Sequence, residues 1–498
     1  KFQRPVYFGF GIFNQVTDLT LQDFAISGSL TPSEAGSFRY MRNPDGSINE
    51  QTPCVPKIGY CFSLPGQSPN PPIHGITFRG SSSGGIERVL LTRLMVSDLA
   101  VGIDISSGAA TCPTIPRAKN ITVSHNRISN IHGVDGGSGY GIVSACSEHV
   151  VIADNILSNV ARHAIYHGKT RPMPPPSEPD TLPLDNVLIV RNAIIDHGHL
   201  YNVISEQVPR GAISVGRGRN GTVVANTLIG DHQPGVELFN DEPVVEPYLS
   251  TNNYAIGNHF VESSRSQVIN YWTNIIYADY NETSLLWGNV NTRQSTRQMT
   301  EATNQANIDR PTGWSAGAGT QWIEFVGGTS DKVADAGTLL PHSYLYVMYN
   351  NVLHRVTPIW GTHPNSWTSI SSTTDWSAGD GFQSMAQMDG AIYIMQNNTL
   401  HQVTPGDTTS AWHTIRSTIQ WAPAFQSMAA SNGKVYVVRG SALYAVTPGS
   451  DNTAWEMNPS IDIVTAGAMR AASGVIYVQR DSIISSYNAS LDLLQNID

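Results

Sequence analysis

Residues 120–130 read NITVSHNRISN: an alternating apolar strand, then Asn126, then a short apolar run. The same frame recurs as HVVIADNILSN from His149, NVLIVRNAIID from Asn186, GTVVANTLIG from Gly221 and NYAIGNHF from Asn253. Asn126, Asn155, Asn192, Asn226 and Asn258 therefore share one register, 29, 37, 34 and 32 residues apart. DLTLQDFAISG from Asp18 and RVLLTRLMVSD from Arg88 fit the frame with Phe24 and Leu94 in place of Asn. Repetition of this kind is the mark of a stacked solenoid, where each repeat buries its apolar face only against its neighbours. One amide per coil has a physical reason. Turn backbone trapped between coils needs hydrogen-bond partners, and a ladder of carboxamides supplies them. The frame predicts at least seven coils with the five asparagines stacked at one turn.

A second strand accompanies each repeat: VGIDIS at Val101, YGIVSA at Tyr140, HAIYHG at His163, GAISVG at Gly211, PGVELF at Pro234 and, less clearly, QVINYW at Gln267. A small residue (Gly102, Gly141, Ala164, Ala212, Gly235) precedes a β-branched one (Ile103, Ile142, Ile165, Ile213, Val236) that reads as inward. Alternation along a strand then turns Asp104, Val143, Tyr166, Ser214 and Glu237 outward as one column.

Beyond residue 290 the pattern fades into a polar stretch, and a different repeat begins. YLYVMYNNVLHRVTP ends at Pro358, AIYIMQNNTLHQVTP at Pro405 and KVYVVRGSALYAVTP at Pro448, spaced by 47 and 43 residues. Trp367, Trp412 and Trp455 follow the three copies, FQSMA occurs at Phe382 and Phe425, and VIYVQRDSIISSYN from Val475 is a degenerate fourth. About 45 residues with several short strands is the size of a propeller blade. The tryptophans read as blade packing more readily than as sugar platforms. So few blades leave open a small propeller, a ring completed by a second subunit in a homo-oligomer, or an open module. The fold class is thus all-β: a right-handed parallel β-helix over 1–290, a linker over 291–323, and a smaller antiparallel, propeller-like repeat domain over 324–498.

Composition agrees. Among 498 residues 40% are hydrophobic and only 14% charged, which argues against disorder and against a solvated helical protein. The 44 glycines and 29 prolines suit short strands joined by tight turns. A net charge of −10 without a basic run argues against a nucleic-acid partner, although a local basic groove can still bind a polyanion. No apolar run is long enough for a membrane span. The abrupt opening Lys1-Phe-Gln-Arg-Pro5 reads as a mature or trimmed start. Of the four cysteines, Cys54 and Cys61 flank a loop insert and Cys112 and Cys146 follow similar strands one repeat apart. Two disulfides, Cys54–Cys61 and Cys112–Cys146, are expected, and with them an oxidising, secreted or periplasmic setting; four free thiols are the alternative.

The Asn-bearing coils and G-I-x-x strands resemble the right-handed parallel β-helix, pectate-lyase-like superfamily over about residues 6–290. That superfamily contains polysaccharide lyases, polygalacturonase-like hydrolases and tailspike depolymerases. The resemblance implies an acidic polysaccharide as the partner. The Arg162-His163 pair looks like the Arg-His of alginate and chondroitin B type lyases, but the lysine-bearing coil and calcium-binding acids of that type have no clear match. No cofactor is expected and no metal ligand is assigned, with calcium left open.

A lyase needs a cation to neutralise the uronate carboxylate, a base for the proton α to it, and an acid for the leaving oxygen. Arg162, His163, Tyr166, Lys169 and Arg210 are the catalytic candidates. His167, Arg171, Arg217, Arg219 and Glu237 are the substrate-binding candidates, although His167 falls on an inward position where a core histidine is the plainer reading. Alternation also sets His163 and Tyr166 on opposite faces unless Ala164 is a bulge. His132, His197, His199 and His232 recur near coil turns, as structural residues or, less readily, a metal site. The competing readings are a β-helix hydrolase or tailspike-like depolymerase using Glu237 with Asp241 or Glu242, and a non-catalytic sugar-binding adhesin.

Overall fold

In the computed structural model the described residues are 8–13, 15–28, 40–42, 48–53, 74–79, 85–106, 118–131, 139–145, 147–168, 186–197, 211–216, 221–229, 235–239, 253–256, 258–261, 276–278, 285–287, 290–291, 320–326, 344–349, 352–356, 367–369, 371–372, 382–388, 390–396, 399–404, 409–415, 425–440, 442–448, 455–458, 466–472, 475–480 and 483–497. The four cysteines, Lys169, Arg171, Arg210, Arg217, Arg219, Asp241 and Glu242 lie outside them, so the disulfide pairs and those site assignments do too.

Three eight-stranded parallel sheets form the first part of the chain, each taking one strand from every coil. Sheet A begins with Phe8–Phe13, sheet B with Val16–Gln22 and sheet C with Ala25–Ser27. The eighth coil closes with Ile276–Ala278, Leu285–Trp287 and Val290–Asn291. The chain therefore winds as a parallel β-helix of eight coils, one more than the least expected. A hairpin of Tyr40–Arg42 with Ile48–Pro53 is inserted between the first two coils.

The inward column of sheet A is Ile76, Ile103, Ile142, Ile165, Ile213, Val236, directly in register from coil to coil and each 0% exposed. The small residues before it answer a close approach. A Cβ on Gly75 would lie 2.7 Å from the carbonyl oxygen of Gly102, and one on Gly141 2.5 Å from that of Ala164.

The Asn ladder stands at the corner between sheets B and C. Asn155 Oδ1 accepts from the Asn126 backbone N–H (3.0 Å) and from Asn126 Nδ2 (2.9 Å). Asn192, Asn226 and Asn258 repeat that double acceptance for the coil before each of them. All five side chains are at most 1% exposed. The residue before each corner adopts a left-handed conformation: Asp23, Arg93, His125, Asp154, Arg191 and Ala225, with φ between 52° and 59°. Four of these side chains pair between coils. Arg93 bridges to Asp23 and Arg191 to Asp154, both at 2.7 Å. Burial pulls the Arg191 guanidinium down, but the charge and hydrogen bonds of Asp154 hold it above the usual arginine range.

The second part consists of antiparallel sheets that begin at Thr320–Val326, Phe382–Met388, Phe425–Ser431 and Ala466–Ala472. Those four first strands pack side by side in sequence. The fourth, degenerate repeat is thus a full sheet of four strands. The first sheet starts at Thr320, inside the stretch expected to be linker. Register sets Trp367, Trp412 and Trp455 opposite Val356, Val403 and Val446 on the outer strands. Apolar layers fill the gaps between successive sheets, as in Met348, Leu353, Ile392 and Val403 between the first two. The last sheet also touches the β-helix. Val475 and Tyr477 pack with Ile156, Ala193, Ile195 and Ile229 of sheet C. No helix among the described residues is long and apolar enough to cross a membrane.

Candidate functional site

Asp104, Val143, Tyr166, Ser214 and Glu237 do form one outward column of sheet A, paired in that order. Their exposure is uneven. Asp104, Ser214 and Glu237 are buried (6%, 0% and 2% exposed), whereas Val143 and Tyr166 are half-buried. Solvent reaches the column at its middle coils. His74 Nδ1 lies 3.3 Å from Asp104 Oδ2 at the N-terminal end.

The middle coils carry a compact polar and aromatic cluster. Tyr140, His163 and Gly211 each precede the small residue of their coil, so they stack in one file above one another. Tyr140 and His163 rings lie parallel, 5.6 Å apart and inclined by 8°. Gly211 has no side chain, and Glu237 of the next coil fills the space one would take. His163 Nδ1 is 2.6 Å from the Gly211 carbonyl oxygen. A carbonyl only accepts, so Nδ1 carries the proton and Nε2 holds the lone pair of the neutral ring. Glu237 Oε2 in turn accepts from the Gly211 N–H at 3.0 Å.

Alternation misplaces His163 relative to Tyr166. The strand runs Ile165–Gly168, so His163 belongs to the preceding turn and not to the pleat. The two rings meet with centroids 5.1 Å apart, on the same side of the sheet. Tyr166 also meets Tyr140 at 5.4 Å. Its hydroxyl lies over Gly168, where a Cβ would collide with it. Arg162, one residue before His163, sets its guanidinium 5.0 Å from the centre of the Tyr140 ring. The Arg162 backbone N–H donates to Gly139 (2.9 Å), whose φ of 105° suits glycine alone at that corner.

His167 is inside the β-helix. It is 1% exposed, in register with Ser144, and its Nδ1 shares a 2.7 Å hydrogen bond with the Ser144 hydroxyl. A substrate on the outer face has no access to a ring in that position, so the core reading of His167 holds and the binding reading does not. Glu237, expected to meet substrate, is engaged with backbone. Tyr140 went unsuspected; its signal was its position in the same file as His163. Among the described residues no group of three or more His, Cys, Asp or Glu is placed to hold a metal ion.

Chemically, the cluster offers a half-buried cation and a half-buried phenol, with a buried imidazole behind them whose Nδ1–H is engaged by Gly211. No protein-family description matches the sequence and no curated protein matches it. Two solved structures show slight likeness. Glutaminyl cyclase from Myxococcus xanthus is 14% identical, with a TM-score of 0.23 over 31% of this chain and 66% of the cyclase, just under two thirds. The hemopexin fold protein CP4 from cow pea is 10% identical, with a TM-score of 0.19 over 31% of this chain and 87% of CP4. Likeness at that level establishes no common architecture and no common activity.

Proposed function

We propose that the protein is a secreted polysaccharide lyase that cleaves a uronate-containing polymer by β-elimination at the Arg162–His163–Tyr166 patch. The observation that carries this reading is the convergence of those three side chains with the His163 Nε2 lone pair set by Nδ1–H donation to Gly211. Arg162 neutralises the uronate carboxylate and so stabilises the carbanion-like charge that develops beside it. Tyr166, half-buried, meets the polymer, while His163, 1% exposed, acts from behind it. The phenol passes its proton to His163 Nε2 and the phenolate takes the C5 proton. The C5–H electron pair becomes the C4=C5 double bond as the C4–O bond breaks. Tyr166 then gives the captured proton to the departing oxygen, and the proton on Nε2 restores the phenol, so both groups end as they began.

Hydrolysis needs two carboxyl groups about 5–10 Å apart. Glu237 is engaged with the Gly211 N–H, and the partners expected for it, Asp241 and Glu242, lie outside the described residues. The described cluster of Arg162, His163 and Tyr166 is what favours elimination. The test is a panel of acidic polysaccharides followed by both ultraviolet absorbance and reducing ends. Elimination raises the two together through the conjugated double bond. New reducing ends without absorbance would mean hydrolysis, and neither signal would favour the sugar-binding reading.

A further inference from the structure

We infer that Glu237 is a positioning residue whose carboxylate, acting through the Gly211 backbone, locks His163 in the tautomer that leaves Nε2 basic. The lock itself rests on geometry; its catalytic use rests on the lyase reading above. Three observations join in it. Glu237 Oε2 accepts from Gly211 N–H at 3.0 Å, and Gly211 O accepts from His163 Nδ1–H at 2.6 Å. Glu237 and His163 are both nearly fully buried, at 2% and 1% exposure, so water competes little for either bond. Position 211 also admits only glycine: an added Cβ would stand 2.6 Å from the Glu237 Cβ and 3.1 Å from the Glu237 backbone nitrogen.

The two bonds reach opposite sides of one residue. The carboxylate restrains the Gly211 N–H and the imidazole restrains its carbonyl in the next peptide plane; held from both sides, the glycine keeps the φ and ψ that aim its carbonyl at Nδ1 and leave the proton there. Loss of the carboxylate frees Gly211 and with it the choice of tautomer.

The experiment uses the full chain with its histidines labelled in 15N. Long-range proton–nitrogen correlation reads the two ring nitrogens of His163, which are identified by their loss in His163→Gln. Above the titration of His163 the unmodified protein is expected to show a protonated Nδ1 and an unprotonated Nε2. Glu237→Ala and Gly211→Ala are expected to mix the tautomers. Glu237→Gln, which can still accept from Gly211, is expected to keep the tautomer. If turnover is found on a uronate polymer, Glu237→Ala should lower kcat about tenfold or more with KM changed less than about twofold. An Nε2–H tautomer in the unmodified protein would overturn the proposal, as would an unmixed tautomer in both Glu237→Ala and Gly211→Ala. The expected tautomers without turnover on any uronate polymer would keep the lock and overturn the lyase reading instead.

Discussion

Asn192 shows how much one side chain does in this solenoid. Its Oδ1 accepts from the backbone and side chain of Asn155, and its Nδ2 donates to Ile152, Val190 and Asn226. Asn192→Ala leaves the buried Asn155 N–H and the Ile152 carbonyl without those partners, so chemical denaturation should show a loss of about 3 kcal/mol or more. The ladder was legible in the sequence because one residue type recurs in one frame. The left-handed corner beside it was not, because Asp, Arg, His and Ala all occupy it. These residues earn their place by pairing between coils rather than by backbone preference, and only a three-dimensional register shows such pairs. Ala225 is the exception, with φ of 52° and a side chain too short to pair. Asn tolerates that conformation better, so Ala225→Asn should stabilise the protein by about 0.5–1 kcal/mol, read as a higher midpoint in thermal unfolding.

At the scale of elements, the outward column of sheet A was legible because strand alternation has a period of two. His163 escaped that logic since the chain enters the strand only at Ile165. Tyr140 would have been found by reading the files one position earlier, where Tyr140, His163 and Gly211 align. Sheet C carried a signal that went unread. Its outward positions are Arg127 and Ser129 in the third coil, but in coils four to six they include Ile156, Ala193, Ile195 and Ile229 beside Ser158 and Thr227. An apolar outer face needs a cover, and Val475 and Tyr477 supply it. Burial pushes the Tyr477 hydroxyl up to about 12 from its ordinary 10.0, with nearby Arg127 opposing the rise. The folded state thus favours the neutral phenol. Its contribution is intact below the unfolded value near 10 and is lost as the pH climbs towards 12, about 2–3 kcal/mol in all. Tyr477→Phe should flatten that alkaline loss of stability, and a variant that still loses it in full would place the cause elsewhere.

For the whole molecule, an eight-coil scaffold holds the outward side chains of the described coils at fixed spacing, which would suit a repeating polymer and keep the proposed patch rigid. The last C-terminal sheet rests against sheet C and leaves the sheet A patch on a different face of the β-helix. The architecture was readable from repeats alone, because repeats report on stacking. The reaction was not, because the residues that would carry it come from a turn, a strand and the file before it, which no single periodicity connects. The central claim is that Arg162 and Tyr166 meet a uronate undergoing elimination, and the most direct measurement is the initial rate of ultraviolet absorbance on the best polymer of the panel. Against the unmodified protein, Arg162→Ala and Tyr166→Phe should each fall about 100-fold or more in turnover with the fold intact by circular dichroism. Unchanged rates in both variants would contradict the account.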